Sequence, residues 1–113
     1  GTIINITDIH ATRPLKGYLT YNVAKAGLQG LTAALARELA PDVRVNAIAP
    51  GPIAWPDNGQ FSPQEREHIL AHTPLQREGG MIEVARAAKF FIYDAPFVTG
   101  QTLAVDGGRA IAI

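Results

Sequence analysis

Cysteine is absent from this chain of 113 residues, which excludes disulfides and thiolate metal sites and fits a reducing, cytoplasmic setting. Net charge is absent as well. Ten Lys and Arg balance ten Asp and Glu, so neither nucleic acid nor an anionic membrane is an expected partner. Long apolar runs are also missing, although 47% of the residues are hydrophobic. None approaches the roughly 20 residues that a membrane-spanning helix needs, and the first residues do not form a signal peptide. What remains is the composition of a globular protein with a real core, at a length that suits one domain.

The chain opens on a strand with no Met and no leading loop. Thr2-Ile3-Ile4-Asn5-Ile6-Thr7 is β-branched and almost continuously apolar, as expected of a strand buried on both faces of a parallel sheet. A start in mid-sheet is the expectation, with these residues a piece of a longer domain. Asp8 to Gly17 is polar and carries Pro14 and Gly17, so it predicts a loop. From about Leu19 to Leu39 the pattern is helical, with Ala24, Leu28, Leu31, Leu35 and Leu39 on one stripe and Pro41 as the stop.

Arg44 to Ile48 predicts a second strand, ending in the turn-rich Ala49-Pro50-Gly51-Pro52-Ile53. Ser62, Pro63 and Glu65 form a capping box with Pro at the first helical position, predicting a short helix to about His72. A further helix is expected from Ile82 to Tyr93, with Val84, Ala85, Ala88 and Phe91 on its apolar face. Gln101 to Val105 predicts a third strand, and Asp106-Gly107-Gly108 a turn. Strands separated by long helical connections imply a parallel sheet, whose ligands bind outside the carboxyl ends of the strands. Asp8 and Pro50-Gly51 then share one rim.

Asp8, Tyr21 and Lys25 are the candidate chemistry. Tyr21 and Lys25 are four apart on one helix face. A nearby ammonium should lower the phenol's pKa from near 10 toward the range useful for acid–base work. Asp8, at the strand end, could orient a substrate or relay a second proton. By itself Tyr-x-x-x-Lys is a weak signal that any helix surface can show.

The ordered set is far more specific. Ile6-Thr7-Asp8, Tyr21-Asn22-Val23-Ala24-Lys25-Ala26-Gly27-Leu28, Arg44 to Ile53, Val98-Thr99-Gly100-Gln101 and Val105-Asp106-Gly107-Gly108 resemble the carboxyl-terminal half of a short-chain dehydrogenase/reductase. The resemblance covers nearly the whole chain. It implies a doubly wound α/β parallel sheet of Rossmann type, with residues 1–113 the carboxyl-terminal part of one domain. The glycine-rich turn that meets the cofactor pyrophosphate and the Asn-Ala-Gly segment of the family are not in this sequence. The piece alone is therefore expected to be inactive and to need its own amino-terminal half.

Most of the family has Ser thirteen residues before the Tyr, where this chain has Asp8. That departure resembles the pteridine reductases. An acid suits a ring C=N, whose nitrogen needs a proton, better than a carbonyl that a hydroxyl would hold. The resemblance makes Asp8, Tyr21 and Lys25 catalytic. It places Ile6, Thr7, Tyr21, Lys25, Pro50, Gly51, Pro52 and Ile53 at a nicotinamide cofactor, NADPH or alternatively NADH, with backbone groups near Ile53 meeting its carboxamide. Asp8, Leu15, Tyr21, Pro52 and Trp55 would face a pterin or folate, with the loop from Ala54 as a lid. It also implies a homotetramer, built through helix 19–39 and the last helix and strand.

Two other functions compete. One is a reductase of carbonyl substrates, such as a 3-oxoacyl thioester or simple ketone. The other is a non-catalytic oligomerisation or binding module, against which the intact Tyr21/Lys25 pair argues. His68 and His72 have a spacing that can bind zinc, but the Glu that would follow the first His and a third ligand are missing, so no metal is expected. His10 suits a substrate-facing or a solvent-facing position equally well. Ala24, Gly27, Gly30 and Ala34 permit close approach of a helix, either within the chain or from a second copy.

Overall fold

Three short strands set the frame of the computed structural model, which describes all 113 residues. They are β1 (Thr2–Ile6), β2 (Arg44–Pro50) and β3 (Thr102–Val105), pairing in that spatial order with every neighbour parallel. Parallel neighbours require crossovers. α1 (Leu19–Leu39) supplies the first, and α2 (Pro63–Ala71) with α3 (Met81–Lys89) supplies the second. α3 runs on as a π-helical turn, Phe90–Asp94, and a last turn of helix, α4 (Arg109–Ala112), follows β3. No helix is long and apolar enough to cross a membrane.

β2 is the centre of the sheet, and Val45 through Ala49 are buried. Its register with β1 pairs Asn5 with Ala47 and Ile6 with Ile48, which assigns the two faces. Asn5 Nδ2 donates to Thr32 Oγ1 of α1 at 3.0 Å, so α1 covers the face carrying Asn5 and Ala47. Ile48 packs with Ala87, Phe91 and Ala95, flanked by Ile4, Val84 and Val98. α3 thus covers the opposite face, the doubly wound arrangement expected.

Polar side chains tie β2 to the segment before β3. Asn46 is fully buried, and a buried amide is costly unless its groups find partners. Its Nδ2 donates to Val98 O and its Oδ1 accepts from Gln101 N–H, each at 3.0 Å. Arg44 Nη1 donates to Phe91 O and Ala95 O, closing the carboxyl end of the α3 segment.

Four expectations change. β1 is not buried on both faces within this stretch: Ile3 and Ile6 are 38% and 44% exposed, β1 being the outer strand of the three that these residues supply. The inward stripe of α1 is also rotated from the predicted one. Thr32 and Ala36 are buried with Lys25, Leu28, Leu35 and Leu39 beside them, while Ala24 and Leu31 face out. On α3, Ala87 takes the place predicted for Ala85, which is exposed. Periodicity fixes the spacing of such a stripe better than its phase when small residues lie all round the helix. β2 also runs two residues further than Ile48, because Gly51 N–H donates to Val105 O and holds the strand against β3.

The rim at the strand ends depends on Gly51. A Cβ there would lie 2.5 Å from Asp106 Cβ and 2.9 Å from Asp106 Cα, closer than carbon atoms can approach, and backbone cannot swing aside. Gly51→Ala is therefore expected to destabilise the fold by about 1–3 kcal/mol. A urea midpoint shift in a Gly51→Ala/wild-type comparison measures it, and an unchanged midpoint would mean the rim is loose.

Candidate active site

The site begins where β1 ends. Thr7 N–H still donates to Ile48 O at 2.8 Å, and its hydroxyl donates to the same carbonyl at 3.2 Å. Thr7 is buried and thus turned away from the rim. The next residue, Asp8, is extended and caps a single 3-10 turn, Ile9–Ala11, its Oδ1 accepting from His10 N–H at 2.8 Å. The carboxylate is thereby aimed at α1.

There Tyr21 Oη donates to Asp8 Oδ2 at 2.6 Å, a short bond of the charge-assisted kind. One turn on, Lys25 Nζ donates to Ile6 O at 3.2 Å and lies 5.8 Å from the centre of the Tyr21 ring. Lys25 therefore pins α1 to the end of β1. Asn22 fastens the intervening loop, its Nδ2 donating to Leu15 O (2.9 Å) and its Oδ1 accepting from Leu15 N–H (3.2 Å). Three helix side chains within five positions, Tyr21, Asn22 and Lys25, thus fasten the start of α1 to Asp8, Leu15 and Ile6.

The electrostatics reverse one expectation. Lys25 was to lower the Tyr21 phenol. Instead burial, then the hydrogen bond to Asp8 and its negative charge, push it up to about 12. The ammonium lies beside the ring and bonded to a backbone carbonyl, whereas the carboxylate touches the phenol oxygen itself. Tyr21 is thus a firmly protonated donor.

In front of this pair is a cleft of about 560 Å³, within the size range of small-molecule sites. Asp8, Leu15, Tyr21, Pro50, Gly51, Pro52 and Trp55 all line it. The lid segment closes one side. Trp55 packs against Phe61 with ring centres 5.6 Å apart, and the Arg66 guanidinium lies 5.5 Å from the Trp55 ring. The predicted capping box of α2 is present in full, Ser62 and Glu65 each accepting the other's backbone N–H. Gln60 Nε2 donates to Tyr18 Oη at 2.8 Å, joining the lid to the start of α1.

Other predicted residues are placed differently. Ile6 contributes its carbonyl to Lys25, with its side chain largely exposed. Ile53 lines a second hollow of about 440 Å³, across Pro52 from the first. The backbone groups expected to meet a carboxamide are already used within the chain. Ile53 N–H donates to Gly51 O, while Ile53 O and Pro52 O accept from Gly80 and Gly79 N–H. His68 and His72 are exposed on α2 with rings 4.2 Å apart, and His72 Nδ1 meets His68 O.

The cleft also contains residues that sequence reasoning missed or left open. His10 lines it, with Nδ1 2.8 Å from Arg13 O. Tyr18 joins from the start of α1, Gln60, Phe61 and Ile69 from the lid side, and Arg109 from α4. Only the turn signal of Asp106-Gly107-Gly108 lay near Arg109, and that says where the chain bends, not which cleft the next side chain enters.

Comparison with known proteins places this arrangement. A family model described as enoyl-(acyl carrier protein) reductase matches residues 1–110. The chain is 42% identical over 110 residues to the 3-oxoacyl-(acyl-carrier-protein) reductase FabG of Salmonella typhimurium, covering 96% of this chain and 45% of that protein. It superposes with a TM-score of 0.89 and 34% identity on FolM alternative dihydrofolate reductase 1 from Brucella canis, complexed with NADP, covering all of this chain and 44% of that one. A short-chain dehydrogenase/reductase from Brucella melitensis, a glucose/ribitol dehydrogenase, gives a TM-score of 0.90 at 34% identity over 96% of this chain and 45% of that one. The chain spans less than half the length of these relatives.

The proximity of Asp8 to Tyr21 makes a direct prediction. Near pH 10, about the midpoint of an ordinary phenol, Tyr21 should remain un-ionised in the wild type. In Asp8→Asn the charge is gone while burial, the largest cause, remains, so the phenol should begin to ionise at a lower pH than in the wild type. Ring-carbon NMR shifts of Tyr21 measure this, and equal ionisation in both proteins would refute the assignment.

Proposed function

The chain belongs to the short-chain dehydrogenase/reductase family, and from that premise we propose that it forms the catalytic segment of an NADPH-dependent reductase acting on a pterin ring C=N. The substrates proposed are a dihydrofolate or a biopterin-type pteridine, taken to the tetrahydro form. One observation carries this reading: the 2.6 Å hydrogen bond between Tyr21 and an acid, Asp8, at the position where the resemblance leads one to expect Ser. The likeness to FolM alternative dihydrofolate reductase complexed with NADP supports it.

The residues present fit a nicotinamide at the rim: Tyr21 lines one side of the cleft and Pro50, Gly51 and Pro52 form a wall, with Lys25 one helical turn from Tyr21 and 5.8 Å from the centre of its ring. Lys25 is proposed to hold the nicotinamide ribose, with Ile6, Thr7 and Ile53 at the periphery. When bound, the cofactor supplies the hydride that reduces the ring carbon. The protein must deliver a proton to the ring nitrogen.

Tyr21 is proposed as that donor, and Asp8 decides when it can act. If Tyr21 donated while Asp8 was ionised, two anions would be left at hydrogen-bond distance. Burial, then the hydrogen bond to Asp8 and its charge, push the phenol up to about 12 and oppose that outcome. If the pair first takes up a proton, donation to the substrate returns it to its resting single charge. The pair thus works as a unit with one proton to give, and its protonation sets the pH dependence of the reaction. Leu15, Pro52 and Trp55 would bracket the flat ring. A chain of the relatives' full length, in which an amino-terminal half carries most of the dinucleotide site, is proposed to be the active form, assembled as a homotetramer through α1, α3 and β3.

A carbonyl reductase is the second reading, favoured by the similarity to 3-oxoacyl-(acyl-carrier-protein) reductase. The full-length enzyme assayed with NADPH separates the two. Dihydrobiopterin or dihydrofolate should be reduced at least tenfold more efficiently than an acetoacetyl thioester or a simple ketone. Tyr21→Phe should lose about 10²-fold or more in turnover, and Asp8→Ser should lose pterin reduction preferentially. Ketone reduction without pterin turnover would establish the second reading instead.

A further inference from the structure

Arg109 is a guanidinium without a counter-ion in the cleft that holds Asp8 and Tyr21. Its Nη1 donates to Ile69 O and His72 O, each at 3.3 Å, at the carboxyl end of α2. That contact fixes the head of the side chain beside the lid. The other guanidinium nitrogens have no partner in the chain, and no carboxylate pairs with the group; the chain's ion pair is Arg86 with Glu83.

The carboxylates that could neutralise it are committed elsewhere. Asp106, three residues earlier, gives Oδ1 to Gly108 N–H and Oδ2 to Ala110 N–H, at 2.9 and 2.8 Å. Asp8 is held by Tyr21 Oη and His10 N–H. Partial burial also disfavours the charged form, lowering the Arg109 pKa from its usual value. A cation is normally paired when it is drawn out of water. Here the protein offers a positioned fork of donors and supplies no acid to fill it, and such a fork matches a carboxylate well.

We propose that Arg109 is a specificity-determining residue that receives a carboxylate on the substrate's side chain, so that the site favours an acid-bearing pterin of the folate type over an uncharged one. This rests on the pterin reading and deepens it. A ligand carboxylate would bond the free edge of the guanidinium while Nη1 keeps its grip on α2. The same residue would therefore read the substrate and steady the lid.

Direct binding separates this proposal from the catalytic reading beneath it. Folate and biopterin are titrated into the full-length enzyme, wild type, Arg109→Met and Arg109→Lys, following Trp55 fluorescence, with NADPH-dependent reduction of the dihydro forms measured in parallel. The folate-to-biopterin affinity ratio is expected to fall about tenfold or more in Arg109→Met, the loss typical of a hydrogen bond to a charged group. Arg109→Lys should restore part of it. Losing both ligands equally, together with a lower melting temperature, would make Arg109 only a cap on α2 and overturn the proposal. An unchanged ratio overturns it too. A ratio that falls in an enzyme reducing neither pterin would uphold Arg109 as the carboxylate site and sink the reductase reading. Failure of the wild type to bind either ligand would remove both.

Discussion

The hydrogen bond from Tyr21 to Asp8 joins the end of the first strand to the first turns of the long helix, and the surrounding structure maintains it. A phenol and a carboxylate at 2.6 Å tolerate little displacement, since hydrogen bonds weaken steeply as their geometry degrades. Lys25 holds the helix to β1 through Ile6 O, and Asn22 holds the loop between them through both backbone groups of Leu15. The Tyr-Asn-x-x-Lys sequence is thus a mounting for the pair. It sets the distance that gives Tyr21 its electrostatic character.

That mounting rests on β2. The strand is buried along its interior, and Asn46 and Arg44 tie it to the segment that leads into β3. Its carboxyl end delivers Pro50-Gly51-Pro52 to the rim opposite Tyr21. Chemistry and binding wall are therefore set by two neighbouring strands in fixed register, while the more variable task of closing the cleft falls to a separate lid. The lid has its own internal order, from the capping box of α2 and the Trp55–Phe61 contact, and meets the rest through Gln60–Tyr18 and Arg109.

Much of this was legible beforehand, for reasons that differ by residue. Helix α1 ran over the predicted span because Leu and Ala favour it and Pro41 stops it. The cap of α2 was readable because it is local, three residues from Ser62 to Glu65. Asp8, Tyr21 and Lys25 came together because a strand end and a helix start separated by a short loop have few ways to lie. What stayed hidden depended on contacts distant in sequence. The phase of the α1 stripe follows from which residues meet Ala47 and Asn5, not from α1 itself. Arg109 enters the cleft only because β3 returns beside β2. The direction of the Tyr21 shift needed its burial and the distance to Asp8, because on spacing alone Lys25 was the nearer charge.

On the proposed reading Asp8 makes the acid of the site a carboxylate–phenol pair, and the pH dependence of kcat/KM for dihydropterin reduction by the full-length enzyme tests that most directly. In the proposed mechanism the proton-loaded pair is the working form, so the wild-type value should fall as pH rises through the pair's apparent pKa. Asp8→Asn, which has no carboxylate to load, should lack that limb. A wild-type rate that rises with pH, or an identical profile in Asp8→Asn, would contradict the account.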